Sequence, residues 1–341
     1  MNPLTSLLTK SLTIATMLFA SCKSDSPLPL EDAFTRAETM DNLMSLIVWK
    51  KDRIVREKFF NSGSPDSSHD VRSVTKSVIA TLIGIAIDQR LIASESQAIG
   101  DFLEPLVQEL DSGKAQITIG NLLSMTSGLE GDELSNPSEY NNWALTPDQL
   151  TYTLSKPLIH APGQVFNYNS GVAHLSSVII SQATSMTTQQ FAKEFLFEPL
   201  GINDPTWEQD NRGIVNGGAG LEITPYDMLK LGRLYLQKGE FNGNRIVSES
   251  WIEKTVTAKI AAGDATPFGP DYGYYWWIGH FRSHNYYFAN GWGGQFIVIV
   301  PDMELIIVAT NRWSGVSSAT ARQQWYNTLE LIINDIVAVY A

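Results

Sequence analysis

Residues 73–88 read Ser73-Val-Thr-Lys-Ser-Val-Ile-Ala-Thr-Leu-Ile-Gly-Ile-Ala-Ile-Asp88. Val78, Ile79, Leu82, Ile83, Ile85 and Ala86 recur at helical spacing, and from Val74 to Ile87 the helix is apolar over most of its circumference. A helix of that kind is buried in the centre of a domain. Its first turn carries Ser73-Val74-Thr75-Lys76, an S-x-x-K in which positions i and i+3 share one face, so the lysine reaches the serine hydroxyl. The helix N-terminus adds partial positive charge and free N–H groups beside that hydroxyl. Both favour a developing alkoxide and lower the lysine pKa towards a value at which it accepts a proton. A charge on an otherwise apolar helix is costly unless it has a partner or chemical work, and this singles out Lys76.

Upstream, Leu46 to Phe60 reads as a hairpin turning at Lys50-Lys-Asp-Arg53. Downstream, residues 95 to about 260 are helix-rich, with segments at Gly120–Met125, Val172–Thr184, Gln189–Phe197 and Tyr226–Gln237. From Tyr272 the pattern becomes strands: Tyr274–Ile278, Tyr286–Phe288, Phe296–Val300 and Leu305–Ala309, with a turn at Pro301-Asp302. A closing helix spans Ser318–Val339. Strands at both ends with helices between predict an α+β fold. Its antiparallel sheet is built from both termini and flanked by helices, with a helical insertion and a cleft where the parts meet.

Two more stretches carry chemistry. Pro162-Gly-Gln-Val-Phe-Asn-Tyr-Asn-Ser-Gly171 is a turn, a short extended piece and a helix start, from which Tyr168 can present its phenol to the Ser–Lys pair. Ala289-Asn-Gly-Trp-Gly-Gly-Gln295 leads into a strand, and glycines at a strand edge let a ligand approach the backbone, where one N–H can complete an oxyanion hole. With Ile117–Leu129, Glu198–Ile202, Gly217–Leu221 and Thr224–Met228, these stretches make the chain resemble the serine β-lactamase and DD-peptidase superfamily. The likeness is to its class C-like esterase and 6-aminohexanoate-dimer hydrolase branch, and it covers residues 40 to 340. The resemblance implies Ser73 as nucleophile, Lys76 as its activating partner and Tyr168 as the base that also helps deacylation. It also implies an oxyanion hole formed by the backbone N–H groups of Ser73 and Gln295.

Two departures stand out. The family's Y-x-N is Tyr168-Asn169-Ser170, so a hydroxyl at Ser170 replaces the amide that would contact lysine and substrate. Where the family carries Lys-Thr-Gly, this chain has Trp292-Gly293-Gly294, without the cation that binds a substrate carboxylate. Arg282 or Arg312 could substitute from a neighbouring strand. Tyr140, in Tyr140-Asn-Asn142, is expected on a loop over the cleft in touch with substrate, and Trp143, Trp292 and Trp313 are candidates for an apolar acyl pocket. These departures lean towards an esterase or amidase acting on a small-molecule acyl substrate. The alternatives are a β-lactam- or D-amino-acid-directed hydrolase and a non-catalytic envelope binding protein. No G-x-S-x-G occurs, which removes the usual Ser-His-Asp pattern.

The N-terminus reads as a targeting segment. Ser11–Ala20 is an apolar core too short for a bilayer span, and Leu18-Phe-Ala-Ser-Cys22 resembles a bacterial lipobox. The expected map is a lipoprotein signal peptide over 1–21, a tether over 22–37 and a hydrolase domain over 38–341. A lipid on Cys22 would hold the protein at the cell envelope, facing the periplasm or the outer surface. Cys22 is the only cysteine, so no thiol then remains for a disulfide or metal site, and the five histidines form no metal pattern. Neither a cofactor nor a metal is expected. A net charge of −12 with no basic run argues against nucleic acid.

Overall fold

The computed structural model describes residues 30–203 and 205–341. The expected signal peptide, Cys22 and most of the expected tether therefore lie outside the described residues. Helical structure is already present within 31–37, ahead of residue 38, where the hydrolase domain was expected to begin. Helix α1 (Glu31–Glu38) buries Ala33, Phe34 and Ala37, and Arg36 pairs with Glu330 at 2.5 Å and Asp335 at 2.7 Å.

The N-terminal hairpin is β1 (Leu43–Lys50) and β2 (Arg53–Phe59), joined by a two-residue turn with Lys51 at φ 47° and Asp52 at φ 62°. Positive φ at both central positions gives the turn a twist that matches the strands. The central helix α2 (Val74–Asp88) follows, then α3 (Ile119–Leu123), α4 (Ser138–Ala144), α5 (Gln149–Ser155), α6 (Ser170–Thr184), α7 (Pro225–Leu236) and α8 (Glu249–Thr255). The chain returns to strand structure in β3 (Ile260–Ala261), β4 (Asp271–Tyr272), β5 (Trp277–Phe281), β6 (His284–Gly291), β7 (Gln295–Val300) and β8 (Leu305–Asn311), and α9 (Ser318–Glu330) follows.

These strands form one eight-stranded sheet in the order β2-β1-β8-β7-β6-β5-β4-β3. The first strand pairs antiparallel with the last, Leu46 opposite Ala309 and Val48 opposite Ile307, as a sheet built from both termini requires. Successive residues of a strand face opposite sides. Phe296 meets Trp325 of α9 at 5.8 Å on one face, while Ile297 lies against Gly232 of α7 on the other. On the α7 side runs α2, tied to it by Thr81 Oγ1 and the Tyr235 hydroxyl at 2.9 Å.

Val74 through Ala86 of α2 are all buried, as the apolar circumference predicted. Gly84 makes room for Trp251 of α8, since a Cβ there would sit 2.0 Å from the indole, whose N–H donates to the Ala80 carbonyl at 2.9 Å. The aromatic run Tyr274–Ile278 enters the sheet late. Tyr275 has φ 58° and donates its N–H to Leu123 of α3 at 2.9 Å, so sheet pairing starts only at Trp277. The closing helix is regular only to Glu330 and continues as a wider π-type turn over Leu331–Val337.

In a separate three-stranded sheet Leu221–Ile223 is central, pairing antiparallel with His69–Asp70 on one side and Thr206–Trp207 on the other. Its ladder extends to Val71, whose N–H donates to the Leu221 carbonyl at 2.9 Å. It thereby fixes the entry into α2, two residues ahead of Ser73.

Candidate active site

The entry to α2 is held in an uncommon backbone state. Arg72 has φ 50°, a conformation that costs a non-glycine residue about 1–3 kcal/mol. Asp70 supports it by accepting the Arg72 backbone N–H at 2.8 Å and pairing with the guanidinium at 3.2 Å. The guanidinium lies between two rings, 5.1 Å from Tyr140 and 4.5 Å from Trp313. Its side chain keeps 15% exposure. Ser73, the residue after it, is half-buried at the start of α2.

Lys76 is 1% exposed. Its Nζ lies 2.9 Å from Ser73 Oγ, 3.0 Å from Ser170 Oγ and 2.8 Å from the Gly218 carbonyl. Burial pulls the lysine pKa down to about 7; Glu133 pulls it up and Arg72 pushes it further down. A neutral amine has two donors and one lone pair. Gly218 can only accept. Ser170 Oγ donates to Glu133 Oε2 at 2.9 Å and so also accepts from the lysine. The lone pair then faces the Ser73 hydroxyl, the arrangement a general base needs.

Tyr168 enters from the segment before α6. Its ring stacks on Trp277 at 5.9 Å and meets Tyr272 edge-on at 6.4 Å. Lys76 Nζ sits 4.8 Å from the same ring centre. Burial raises the phenol pKa well above its ordinary value, and the nearby Ser73 hydroxyl only partly offsets this. The phenol is therefore protonated at neutral pH.

The sequence reading missed three contributors. Glu133, on the loop between α3 and α4, accepts the Ser170 backbone N–H at 2.5 Å as well as the Ser170 hydroxyl. Its own N–H donates to the Tyr168 carbonyl at 2.9 Å. Burial raises its carboxyl pKa, with Lys76 and then Ser170 drawing it back down. The Gly218 carbonyl is the second. A Cβ on Gly218 would lie 2.7 Å from Ser170 Cβ, so glycine lets this turn reach the lysine, and Asn216 Oδ1 holds it by accepting the N–H of Gly218 at 2.8 Å. Arg72 is the third. A basic residue beside the S-x-x-K was visible in the sequence, but nothing in its neighbours marked it as buried.

The glycine-rich turn lies against the nucleophile. A Cβ on Gly291 would fall 2.2 Å from the Val71 carbonyl oxygen and 3.0 Å from Arg72 Cβ. Gly293 (φ 75°) and Gly294 (φ 99°) form the turn. Their carbonyls accept from Gln324 Nε2 and Asn311 Nδ2, each at 2.6 Å. Trp292 projects from it at 36% exposure. The Gln295 side chain bonds the Asn311 backbone at 2.8 and 3.1 Å, so any part it plays at the site falls to its backbone N–H.

Other expectations need correction. Arg282 bonds the Ala341 carbonyl at 3.0 Å and Arg312 bonds Asn42 Oδ1 at 2.8 Å, both on the exposed surface; Arg72 is the cation beside Ser73. Tyr140 sits on α4 and not on a loop, in contact with Arg72. Trp143 is buried behind Tyr140 against His174, while Trp313 packs on Arg72 and donates to the Asp70 carbonyl at 3.2 Å. The three tryptophans do not line one pocket.

Comparison with known proteins identifies the family and the fold. The Beta-lactamase family model matches residues 37–328. The chain is 22% identical over 314 residues to the 6-aminohexanoate-dimer hydrolase of Paenarthrobacter ureafaciens, covering 86% of this chain and 77% of that protein. Among solved structures, EstCE1, described as a hydrolase with promiscuous acyltransferase activity, superposes with TM-score 0.71 at 17% identity, over 92% of this chain and 98% of its own. The octameric penicillin-binding protein homologue from Pyrococcus abyssi does so with TM-score 0.68 at 19% identity, over 89% and 75%.

Proposed function

The chain belongs to the Beta-lactamase family, and we propose that within it the protein is a serine hydrolase that forms an acyl-enzyme at Ser73 on small esters or amides. One observation carries the reading: a fully buried lysine, with its pKa lowered to about 7, lies 2.9 Å from a half-buried serine hydroxyl. Lys76 takes the Ser73 proton as Oγ bonds the substrate carbonyl carbon. Tyr168, kept protonated by burial, hands its proton to the departing alkoxide or amine and recovers one from Lys76. In deacylation a water attacks the ester carbonyl, its proton goes back through the same pair and Ser73 Oγ leaves. The backbone N–H groups of Ser73 and Gln295 are the proposed donors to the oxyanion. Ser170 holds the lysine, while Tyr140, Trp292, Gly293 and Gly294 border the acyl site.

The substrate class follows from charge. The cation beside Ser73 is already paired with Asp70 and held between two rings, which leaves little for a substrate carboxylate. That favours uncharged esters and amides over β-lactams and D-amino-acid peptides. The relative named as a 6-aminohexanoate-dimer hydrolase supports an amide among the bonds cleaved. Intact-mass measurement after exposure to an alkyl p-nitrophenyl phosphonate tests the nucleophile. One adduct on Ser73, absent in Ser73→Ala, is expected, and an unmodified wild type would defeat the reading.

The envelope location belongs to the same proposal. Cys22 would carry the lipid, and metabolic labelling with an azido fatty acid should tag the full chain but not a Cys22→Ala variant. Label retained in that variant, or absent from both, would contradict it.

A further inference from the structure

We propose that Glu133, acting through the Ser170 hydroxyl, is the counter-charge that fixes the pH at which Lys76 becomes a base. The inference rests on the acyl-enzyme reading and makes Glu133 a positioning residue. It also accounts for the departure at position 170. An amide there would hold the lysine directly. The shorter serine hydroxyl does so while bonding a carboxylate beyond it, at 3.0 Å from Lys76 Nζ and 2.9 Å to Glu133 Oε2.

The bridge is rigid. Glu133 takes both the backbone N–H and the hydroxyl of Ser170, and its own N–H is fixed by the Tyr168 carbonyl. One loop residue thus ties the start of α6 to the tyrosine and the lysine. Among the described residues, Arg72 and the Tyr168 ring face Lys76, Asp132 adjoins Glu133, Tyr140 feels its charge, and Glu139, Tyr152 and Lys156 line a small void behind it. Arg72 and burial both drive the proton off Lys76, and Glu133 opposes them. Without Glu133 the lysine would be neutral over a wider pH range but too weak a base to hold the Ser73 proton in the transition state. With it, a lysinium formed during acylation has an anion two hydrogen bonds away.

The test is the pH dependence of phosphonate labelling at Ser73, followed by intact mass, in wild type, Glu133→Gln and Ser170→Ala. The wild-type acid limb should have its midpoint near the lysine value of about 7. In Glu133→Gln the midpoint should fall by one pH unit or more and the plateau rate about tenfold or more. Ser170→Ala removes one oxygen and should shift the midpoint the same way, so it decides the matter if Glu133→Gln does not fold. A purely structural role would lower rates without moving the midpoint. Folded variants that keep the wild-type midpoint would therefore overturn the inference alone. A wild type that takes no label would overturn the acyl-enzyme reading, and this inference with it.

Discussion

Replacing Lys76 with methionine should make the protein inactive and, below neutral pH, more stable. Methionine has similar length and an adaptable shape, so it fits the lysine slot without a charge. An unfolded lysine keeps its proton to about pH 10.5, whereas burial lowers the folded value to about 7. At about 1.4 kcal/mol per unit, holding the protonated amine in the fold costs roughly 5 kcal/mol at pH 6. The methionine variant escapes that cost but orphans the Gly218 carbonyl, a loss of about 1–3 kcal/mol, and strips Glu133 of its cation. The balance is a gain of about 1–3 kcal/mol at pH 6.

The sign with pH is fixed by linkage. Between about pH 7 and 10.5 the unfolded chain binds the extra proton, so wild-type stability rises with pH, by about 1.4 kcal/mol per unit from this group. The variant lacks that slope, and the two should converge by about pH 9. Urea melts at pH 6, 7.5 and 9 would read both features. A variant less stable than wild type at pH 6, or a gap that does not narrow with pH, would refute the claim that Lys76 is held against its own desolvation.

Three other perturbations separate fold from chemistry. Tyr168→Phe keeps the stack on Trp277 and should lower kcat by about 10²–10⁴ with little change in Tm; a near-normal rate would remove Tyr168 from the proton route. Gly84→Ala gains about 1 kcal/mol of helix propensity but puts a Cβ 2.0 Å from the Trp251 indole, so melts should show a net loss of about 1–2 kcal/mol, and a more stable variant would show that α8 yields. Asn311→Ala leaves the Gly294 carbonyl without its clamp. It should cost about 1–3 kcal/mol and lower kcat more than it raises KM; a change confined to KM would mean that the turn only binds substrate.

The sequence made legible what local periodicity encodes. The buried helix from Val74 to Ala86 and its S-x-x-K pair needed only the 3.6-residue repeat, because both partners lie within one turn. Tyr168 was legible as the residue between a Pro-Gly turn and a helix start, and Asn169 caps that helix by accepting the Val172 N–H at 3.1 Å. Strand propensity was less informative. The aromatic residues of Tyr274–Trp276 have the composition of a strand, yet Tyr275 turns its N–H to α3, a tertiary choice that no window of sequence contains. The strands Ile260–Ala261 and Asp271–Tyr272 are two residues long, too short to carry a period.

What remained hidden was the electrostatic surround of the lysine. Glu133 sits in a polar loop 57 positions after Lys76, and the Gly218 carbonyl comes from a turn 142 positions away. Main-chain acceptors have no signature, and a glutamate in a loop reads as solvated. The expectation that Arg282 or Arg312 would supply a cation failed for a related reason. Position next to a sheet strand does not say towards which end of the sheet a long side chain runs, and these two reach the C-terminus and Asn42. Arg72 was overlooked because charge beside a helix start is ordinary on a surface. Here Tyr140 and Trp313, from α4 and from the segment after β8, close over it.

The most direct test of the central claim is turnover of short p-nitrophenyl esters and of a chromogenic cephalosporin by the purified full-length protein, with Ser73→Ala alongside. The account predicts ester hydrolysis that disappears in the variant, with a far weaker cephalosporin signal. Ester hydrolysis that survives in Ser73→Ala, or a wild type that turns over neither substrate and takes no phosphonate at Ser73, would contradict it.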